Sequence, residues 1–438
     1  MKSELDLQEA ATRVIEAAGK RGATAADVMA VVERALSASI YLGSVDKLKT
    51  ASERALGLRV FFGHRSANTS TSDFSKASLD QLVEDTCSLA RVTAEDPHAS
   101  LPDPAELAHG ALPDLDLHDP EGASLSVEDQ IERARRAEGA ARAVDPRVTN
   151  MDAADWEGRE SRRVLANSHG FVGEVAGTEF FLYVAPIAEE NGAMQRADNF
   201  TAARKVSRLE DSEKLGRIAG ERALRRLGAR KIRTAKLPVI FDADTASSLI
   251  DHLGEAVSGT SVYKGVSFLI DKVGKKIGPE RLTVVDDGTL PGALGSSPFD
   301  AEGLPVRRNV VVDKGVLRTW LMDTYSARKL GLRSTGNAQR GISSSPSVGS
   351  HNLFLEPGTE TPEDLIRSVK AGLYVTELIG FGVNPVTGDY SRGVAGFWIE
   401  NGELAYPVEE ITIAGNLLTM YDRIEAVAND LDFRRSVT

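Results

Sequence analysis

One histidine–carboxylate pair in this sequence has the spacing of a metal-binding helix. His252 and Glu255 lie in residues 244–259, which read Asp-Thr-Ala-Ser-Ser-Leu-Ile-Asp-His-Leu-Gly-Glu-Ala-Val-Ser-Gly. Three residues apart on a helix, they share a flank. An imidazole and a carboxylate are both zinc ligands. A catalytic zinc takes three protein ligands and keeps a fourth position open for water. A peptidase helix supplies two histidines about a turn apart, with a glutamate as general base. Here the next histidine is His351, and no His-Glu dipeptide occurs. An autonomous metal hydrolase would need a remote third ligand such as Asp242. The plainer reading is a helix-edge histidine with a polar neighbour.

Other polar groupings are less pointed. Asp286-Asp287-Gly288 pairs carboxylates beside a turn glycine, which suits a hard cation or simply a turn. The loop Ser334-Thr-Gly-Asn-Ala-Gln-Arg-Gly341 offers two amides and a guanidinium, which can hold peptide backbone or carboxylate, or cap strands. His98, His109 and His118 fall in residues 95–125, among Pro and Asp, and the irregular spacing favours a solvated excursion over a metal cluster. Gly380-Phe-Gly382 lacks the third glycine of a dinucleotide turn, and no Walker-type Gly-Lys-Ser/Thr or Gly-x-Ser-x-Gly elbow exists. Cys87 is the single cysteine, so neither an intrachain disulfide nor a Cys-x-x-Cys site can form.

The elements that must position these residues follow from periodicity. In 244–259, Asp244 suits an N-cap and Gly259 a terminator. Ala246, Leu249, Ile250, Leu253 and Val257 line one apolar face. Residues 5–20 predict an amphipathic helix. Residues 26–74 alternate as an antiparallel meander, with Val28-x-Ala30-x-Val32 and Leu58-x-Val60-x-Phe62. Helices are predicted over 78–91, 127–144 and 212–227, and strands within 147–200. This order hints at an internal duplication in an N-terminal domain, 1–228. The basic stretch 228–236 is the candidate boundary. Residues 237–438 show short strands (237–241, 282–286, 308–313, 316–321, 396–400 and 410–414) and helices after Asp244 and Thr361, where Thr-Pro is a natural helix start. The fold class is α+β: an N-terminal layered domain with antiparallel meanders, then a mainly antiparallel β domain with a few helices.

Composition narrows the class. The 438 residues are 42% hydrophobic and 26% charged, with a net charge of -12. That balance argues against a surface that coats nucleic acid. The opening residues Met1 to Asp6 lack an apolar signal region, and no stretch has the roughly 18 apolar residues of a membrane span. A cytoplasmic address is expected, with no membrane partner.

Several ordered motifs in the second half resemble one family. They are Val262-Tyr-Lys-Gly-Val-Ser-Phe-Leu269, Val285-Asp-Asp-Gly288, Asp300-Ala-Glu-Gly-Leu-Pro305, Asp323-Thr-Tyr-Ser-Ala-Arg328 and Ser334-Thr-Gly-Asn-Ala-Gln-Arg340. Together they resemble the TldD/PmbA family, long described as modulators of DNA gyrase. The match is dense over 237–430, and Gly57-Leu-Arg-Val-Phe61 is a local echo in the first half. In that family the TldD branch carries a His-Glu-x-x-x-His zinc helix, and the PmbA or TldE branch lacks it. The resemblance places this chain on the PmbA side and implies a non-zinc subunit of a heterodimeric peptidase acting on unfolded or small peptides. Zinc is then expected on a TldD-like partner, with no catalytic residue, metal ligand or cofactor in this chain. Lys264, Thr335, Gly336, Asn337 and Arg340 are the expected peptide-chamber lining. A homodimer of the isolated chain is conceivable. The rival reading is a non-enzymatic binder of gyrase or of toxin–antitoxin proteins. The resemblance also leads one to expect further strands after Asn429-Asp430, so an end at Thr438 predicts an open sheet edge and a frayed last segment.

Overall fold

The computed structural model describes residues 6–438. Asp6 caps α1 (Leu7–Lys20) by accepting from the Gln8 and Glu9 amides. Leu5, the expected first helical residue, lies outside the described residues. A long hairpin follows, β1 (Ala25–Tyr41) and β2 (Ser44–Phe62), then β3 (Arg65–Thr71) and α2 (Lys76–Val92). A second set comprises α3 (Pro120–Ala123), α4 (Val127–Arg142), β4 (Val148–Asn167), β5 (Val172–Glu190), β6 (Ala193–Arg196), β7 (Asn199–Ala203) and α5 (Ser212–Arg225). Because β1 pairs antiparallel with β4, the two hairpins merge into one sheet, ordered β3-β2-β1-β4-β5-β6, with β7 also on β5.

Period-two alternation divides the faces of this sheet. Val28, Ala30, Leu58, Val60, Val164 and Ala166 pack under α1 and α2. Leu36, Ala38, Ala154, Trp156, Phe180 and Leu182 pack under α4 and α5. These positions share a parity along each strand, so all four helices cover one face. On the other parity, Met29 and Leu165 meet Phe299, Leu304 and Ala338 of the second half. That is why residues 26–30 are buried without a break. Gly57 marks the close approach, since a Cβ there would lie 1.8 Å from the Ile342 carbonyl oxygen.

The second half contains β8 (Val239–Phe241), α6 (Ala243–Ala256), α7 (Gly259–Tyr263), β9 (Val284–Asp287), β10 (Arg308–Asp313), β11 (Val316–Leu317), α8 (Thr324–Leu330), β12 (Ala338–Gln339), β13 (Ser347–Val348) and β14 (Leu353–Leu355). Then come α9 (Pro362–Ser368), β15 (Ala371–Ile379), β16 (Asp389–Glu400), β17 (Glu403–Asn416) and α10 (Leu417–Asp422). Among the described residues the strands form sheets ordered β11-β10-β9-β14, β12-β13 and β17-β16-β15-β8. Only β8 runs parallel to its neighbour, β15; the other pairings are antiparallel. Thr361 does cap α9, in a reciprocal capping box with Asp364.

Three expectations need correction. The second half holds more helices than two, because α7, α8 and α10 are too short to show a period. The 95–125 segment is more than a solvated excursion. Its Leu101, Leu107, Leu115 and Leu117 are buried, and Arg328 grips the Ser100 and Leu101 carbonyls at 3.1 and 2.7 Å. Nor is the last segment frayed: the Leu353 amide donates to the Ser436 carbonyl and the Thr438 amide to the Leu353 carbonyl, at 2.8 and 2.9 Å, so the end covers β14.

Candidate functional site

Helix α6 begins earlier than its sequence signals suggest. Asp242 is the N-cap, accepting from the Thr245 amide at 2.8 Å and hydroxyl at 2.7 Å, while Asp244 sits in the first turn. Gly259 does not end the helix; Val257 does, and Gly259 opens α7 against Ser326 and Met322, where a Cβ would clash. Ile250, Leu253 and Val257 enter the core as expected. Ala246 and Leu249 are only half-buried, and Thr245 and Ser247 are buried instead, because β15 and β14 flank the helix.

The zinc alternative is not built. The His252 side chain is 19% exposed, and its Nδ1 lies 4.0 Å from an Oε2 of Glu255, which is 72% exposed. Burial lowers the imidazole pKa, against the pull of Glu255, and the Arg392 charge lowers it further. The His252 Nε2 is buried and has no hydrogen-bond partner among the described residues. Asp242, ten residues earlier, is committed to its cap. Among the described residues no three His, Cys, Asp or Glu side chains converge as a metal site. A single imidazole and a solvated carboxylate fall short of the three ligands of a catalytic zinc. The loop histidines scatter likewise, His98 edge-on to Tyr325 and His118 3.0 Å from Glu160.

The 334–341 loop folds inward. Gly336 adopts φ +77°, the left-handed region, and its carbonyl meets His351 Nε2 at 2.8 Å. The Asn337 amide donates to Asp286 at 2.7 Å and to the Gly349 carbonyl at 3.1 Å, and its oxygen accepts from Thr335 at 2.7 Å. Asp286, considered above as half of a cation site, also accepts from the His351 amide at 2.6 Å. The Arg340 side chain is buried and donates to Asp27 Oδ1 at 2.6 Å; Arg59, directly across the strand pair from Asp27, holds the other oxygen. Beside them Asp300 accepts from the Glu302, Leu304 and Ala338 amides. Of the expected lining, then, Thr335, Gly336, Asn337 and Arg340 bond to the chain's own interior, and only Lys264 is exposed, at the end of α7.

The electrostatics of this seam split in two. Desolvation would raise the Asp27 pKa, but Arg340 and Arg59 outweigh it and hold the carboxyl below the ordinary range. Burial, with Glu302 nearby, pushes Asp300 up to about 7, and burial raises Glu302 as well.

A second polar region was missed. Between α5 and α6 lies a cleft of 470 Å³, floored by β15 and β16 and lined by Arg222, Arg225, Arg226, Arg392 and Arg435 with Ser247 and Ser248. Arg392 stands between Tyr390 and Val394 on the inward parity of β16, a charge at a core-facing position. That break in alternation was the available signal.

The geometry has counterparts among known proteins. Residues 26–90 match the PmbA/TldA metallopeptidase domain 1, 120–227 the central domain and 234–438 the C-terminal domain. The chain is 40% identical over 431 residues to metalloprotease PmbA of Escherichia coli O157:H7, covering 98% of this chain and 93% of that protein. A PmbA homologue of Haemophilus influenzae is 35% identical, covering 99% and 94%. A crystal structure from Bacteroides thetaiotaomicron, of a protein named as a candidate modulator of DNA gyrase, superposes with TM-score 0.91 at 32% identity, covering 98% and 95%. TldE from Thermococcus kodakarensis shares the fold, with TM-score 0.85 at 24% identity, covering 95% and 94%.

Proposed function

The chain belongs to the PmbA/TldD metallopeptidase family, and on that premise we propose that it is the non-zinc, TldE-like subunit of a heterodimeric zinc peptidase. Its substrates in this reading are unfolded or small peptides, and its compartment is the cytoplasm. The zinc, its water nucleophile and the general base belong to a TldD-like partner. This chain closes the chamber and holds peptide.

The observation that carries the reading is the state of α6. The helix is capped and packed, yet it presents one imidazole, His252, whose Nε2 has no hydrogen-bond partner among the described residues. Among the described residues no helix is long and apolar enough to cross a membrane, which accords with a freely diffusing subunit. Strand β17 ends its sheet, and away from Val408, where Arg230 already pairs with it, its edge offers backbone groups along which an extended peptide of any sequence can add.

The test is a peptide-cleavage assay with this chain alone, a TldD-like partner alone, and both, with zinc measured on each purified protein. Cleavage is expected only where the partner is present, and rises when the two are combined. Stoichiometric zinc with strong cleavage in this chain alone would overturn the reading.

A further inference from the structure

The α5–α6 cleft holds two guanidinium groups that make no ion pair among the described residues. Arg392 is half-buried; it donates to the Ser248 hydroxyl at 3.1 Å, and its Nε is buried with no partner. Arg225 stacks on Phe397 with 4.8 Å to the ring centre. Neither makes an ion pair among the described residues, although five carboxylates face the same cleft. Four of those are engaged elsewhere. Asp242 caps α6, Asp244 lies 3.6–3.9 Å from Arg222, Arg434 and Arg435, Glu377 pairs with Arg226 at 2.5 Å, and Asp198 lies 3.5 Å from Arg196. The fifth, Asp251, makes no ion pair among the described residues; burial and Glu255 raise its pKa against the pull of Arg435.

The Arg392 charge is felt by its surroundings. It depresses the His252 imidazole, after desolvation and against Glu255, and it opposes the burial that raises the Tyr390 phenol. His252 stands edge-on to Tyr390 with ring centres 6.4 Å apart. The Tyr390 hydroxyl, on a residue 2% exposed, is a further buried group with no partner. Partly desolvated guanidinium favours a carboxylate, which it can bind through two parallel N–H donors. Ser248 stands beside it as a second donor once its own hydrogen is turned outward.

We propose that the α5–α6 cleft is a carboxylate-binding subsite, with Arg392 as the anchor and Arg225 and Ser248 beside it, which engages peptides through a carboxylate. The proposal rests on the peptidase-subunit reading for its choice of ligand. It concerns binding by this chain alone, so it can fail while that reading stands. The carboxylate can be a peptide's C-terminus or an acidic side chain.

The experiment is calorimetric titration of the full chain with three probes: tetra-alanine with a free C-terminus, tetra-alanine amide, and an amidated tetrapeptide carrying one glutamate. The free acid is expected to bind about tenfold more tightly than the plain amide, the scale of one charge-assisted hydrogen-bonded pair. That preference should weaken at high salt. If the glutamate peptide matches the free acid, the site reads any carboxylate; if it matches the plain amide, the site reads a chain terminus. Arg392→Met should erase the preference, and Arg392→Lys should keep part of it. Arg225→Met, at an exposed position stacked on Phe397, should reduce it and serves if Arg392→Met fails to fold. Binding of the plain amide as tight as that of both carboxylate probes, no binding of any probe, or a preference that survives in a folded Arg392 variant lacking the charge would each overturn the proposal. Cleavage by the two-subunit complex, measured separately, tells that failure apart from failure of the peptidase-subunit reading.

Discussion

At the seam between the two halves, Arg340 and Arg59 close on Asp27 from two sides, Asn337 bonds to Thr335 and Asp286, and His351 Nε2 meets the Gly336 carbonyl. In the α5–α6 cleft, Arg392 has one hydroxyl and Arg225 one ring. Both regions are rich in arginine and acid, and both join distant parts of the chain. Arg340 and Arg392 each keep a buried Nε without a hydrogen-bond partner, so the difference lies in the counter-ion: Arg340 has Asp27, and Arg392 has none among the described residues. A buried charge whose partners are all internal holds a fold together, and losing one partner strands the other in low dielectric. A charge left without a counter-ion gains little from folding and is available to something outside the chain.

The largest expected effect is therefore at the seam. Arg340→Met should lower the unfolding free energy by about 3 kcal/mol, because Asp27 would keep only Arg59. Denaturant unfolding measures it, and a loss under about 1 kcal/mol would mean that the seam is not closed as described. The pH dependence comes next. Asp27 has a lowered folded pKa, so its stabilisation is present above the ordinary carboxylate range and disappears as acid protonates it in the fold. Asp300 has the opposite sign. Folding holds its proton up to about 7, so stability is lost as pH rises from the unfolded value toward that point. Glu302→Gln removes a like charge beside Asp300 and should flatten that loss. An unchanged slope across this window would contradict the assignment.

Smaller effects sharpen the other side of the comparison. Asp242→Ala should cost about 1 kcal/mol, the worth of a helix cap, since the Thr245 amide loses its acceptor. Thermal unfolding with no change would indicate that α6 is held by packing alone. Arg392→Met should change stability by no more than about 0.5 kcal/mol, since no ion pair is lost. A loss as large as that of Arg340→Met would erase the distinction between the two regions.

Much of the fold was legible in the sequence, for reasons visible in particular residues. Val28, Ala30, Leu58 and Val60 alternate because one face of their sheet lies under helices, and Thr361-Pro marks a helix start because it satisfies a free amide. The placement of the 335–340 loop was not legible. Its amides and guanidinium read equally as a surface that grips peptide or as an interior that grips itself, and only tertiary packing brings Asp27 and Asp286 to them. The α6 boundaries slipped because Asp242 and Asp244 are both competent caps, and the strand that ends at Phe241 decides between them. The cleft escaped notice because its arginines come from α5, β16 and the chain's last residues. Arg392 alone carried a local signal, as a charge on the inward face of a strand.

We propose that this chain raises catalysis by a TldD-like partner as its zinc-free companion. That claim is tested most directly by measuring peptide cleavage at a fixed total protein concentration while the ratio of this chain to a TldD-like partner is varied. The account predicts no cleavage with this chain alone and a maximum where the two are present in equal amounts. A rate that simply follows the amount of partner, or one that peaks with this chain alone, would contradict it.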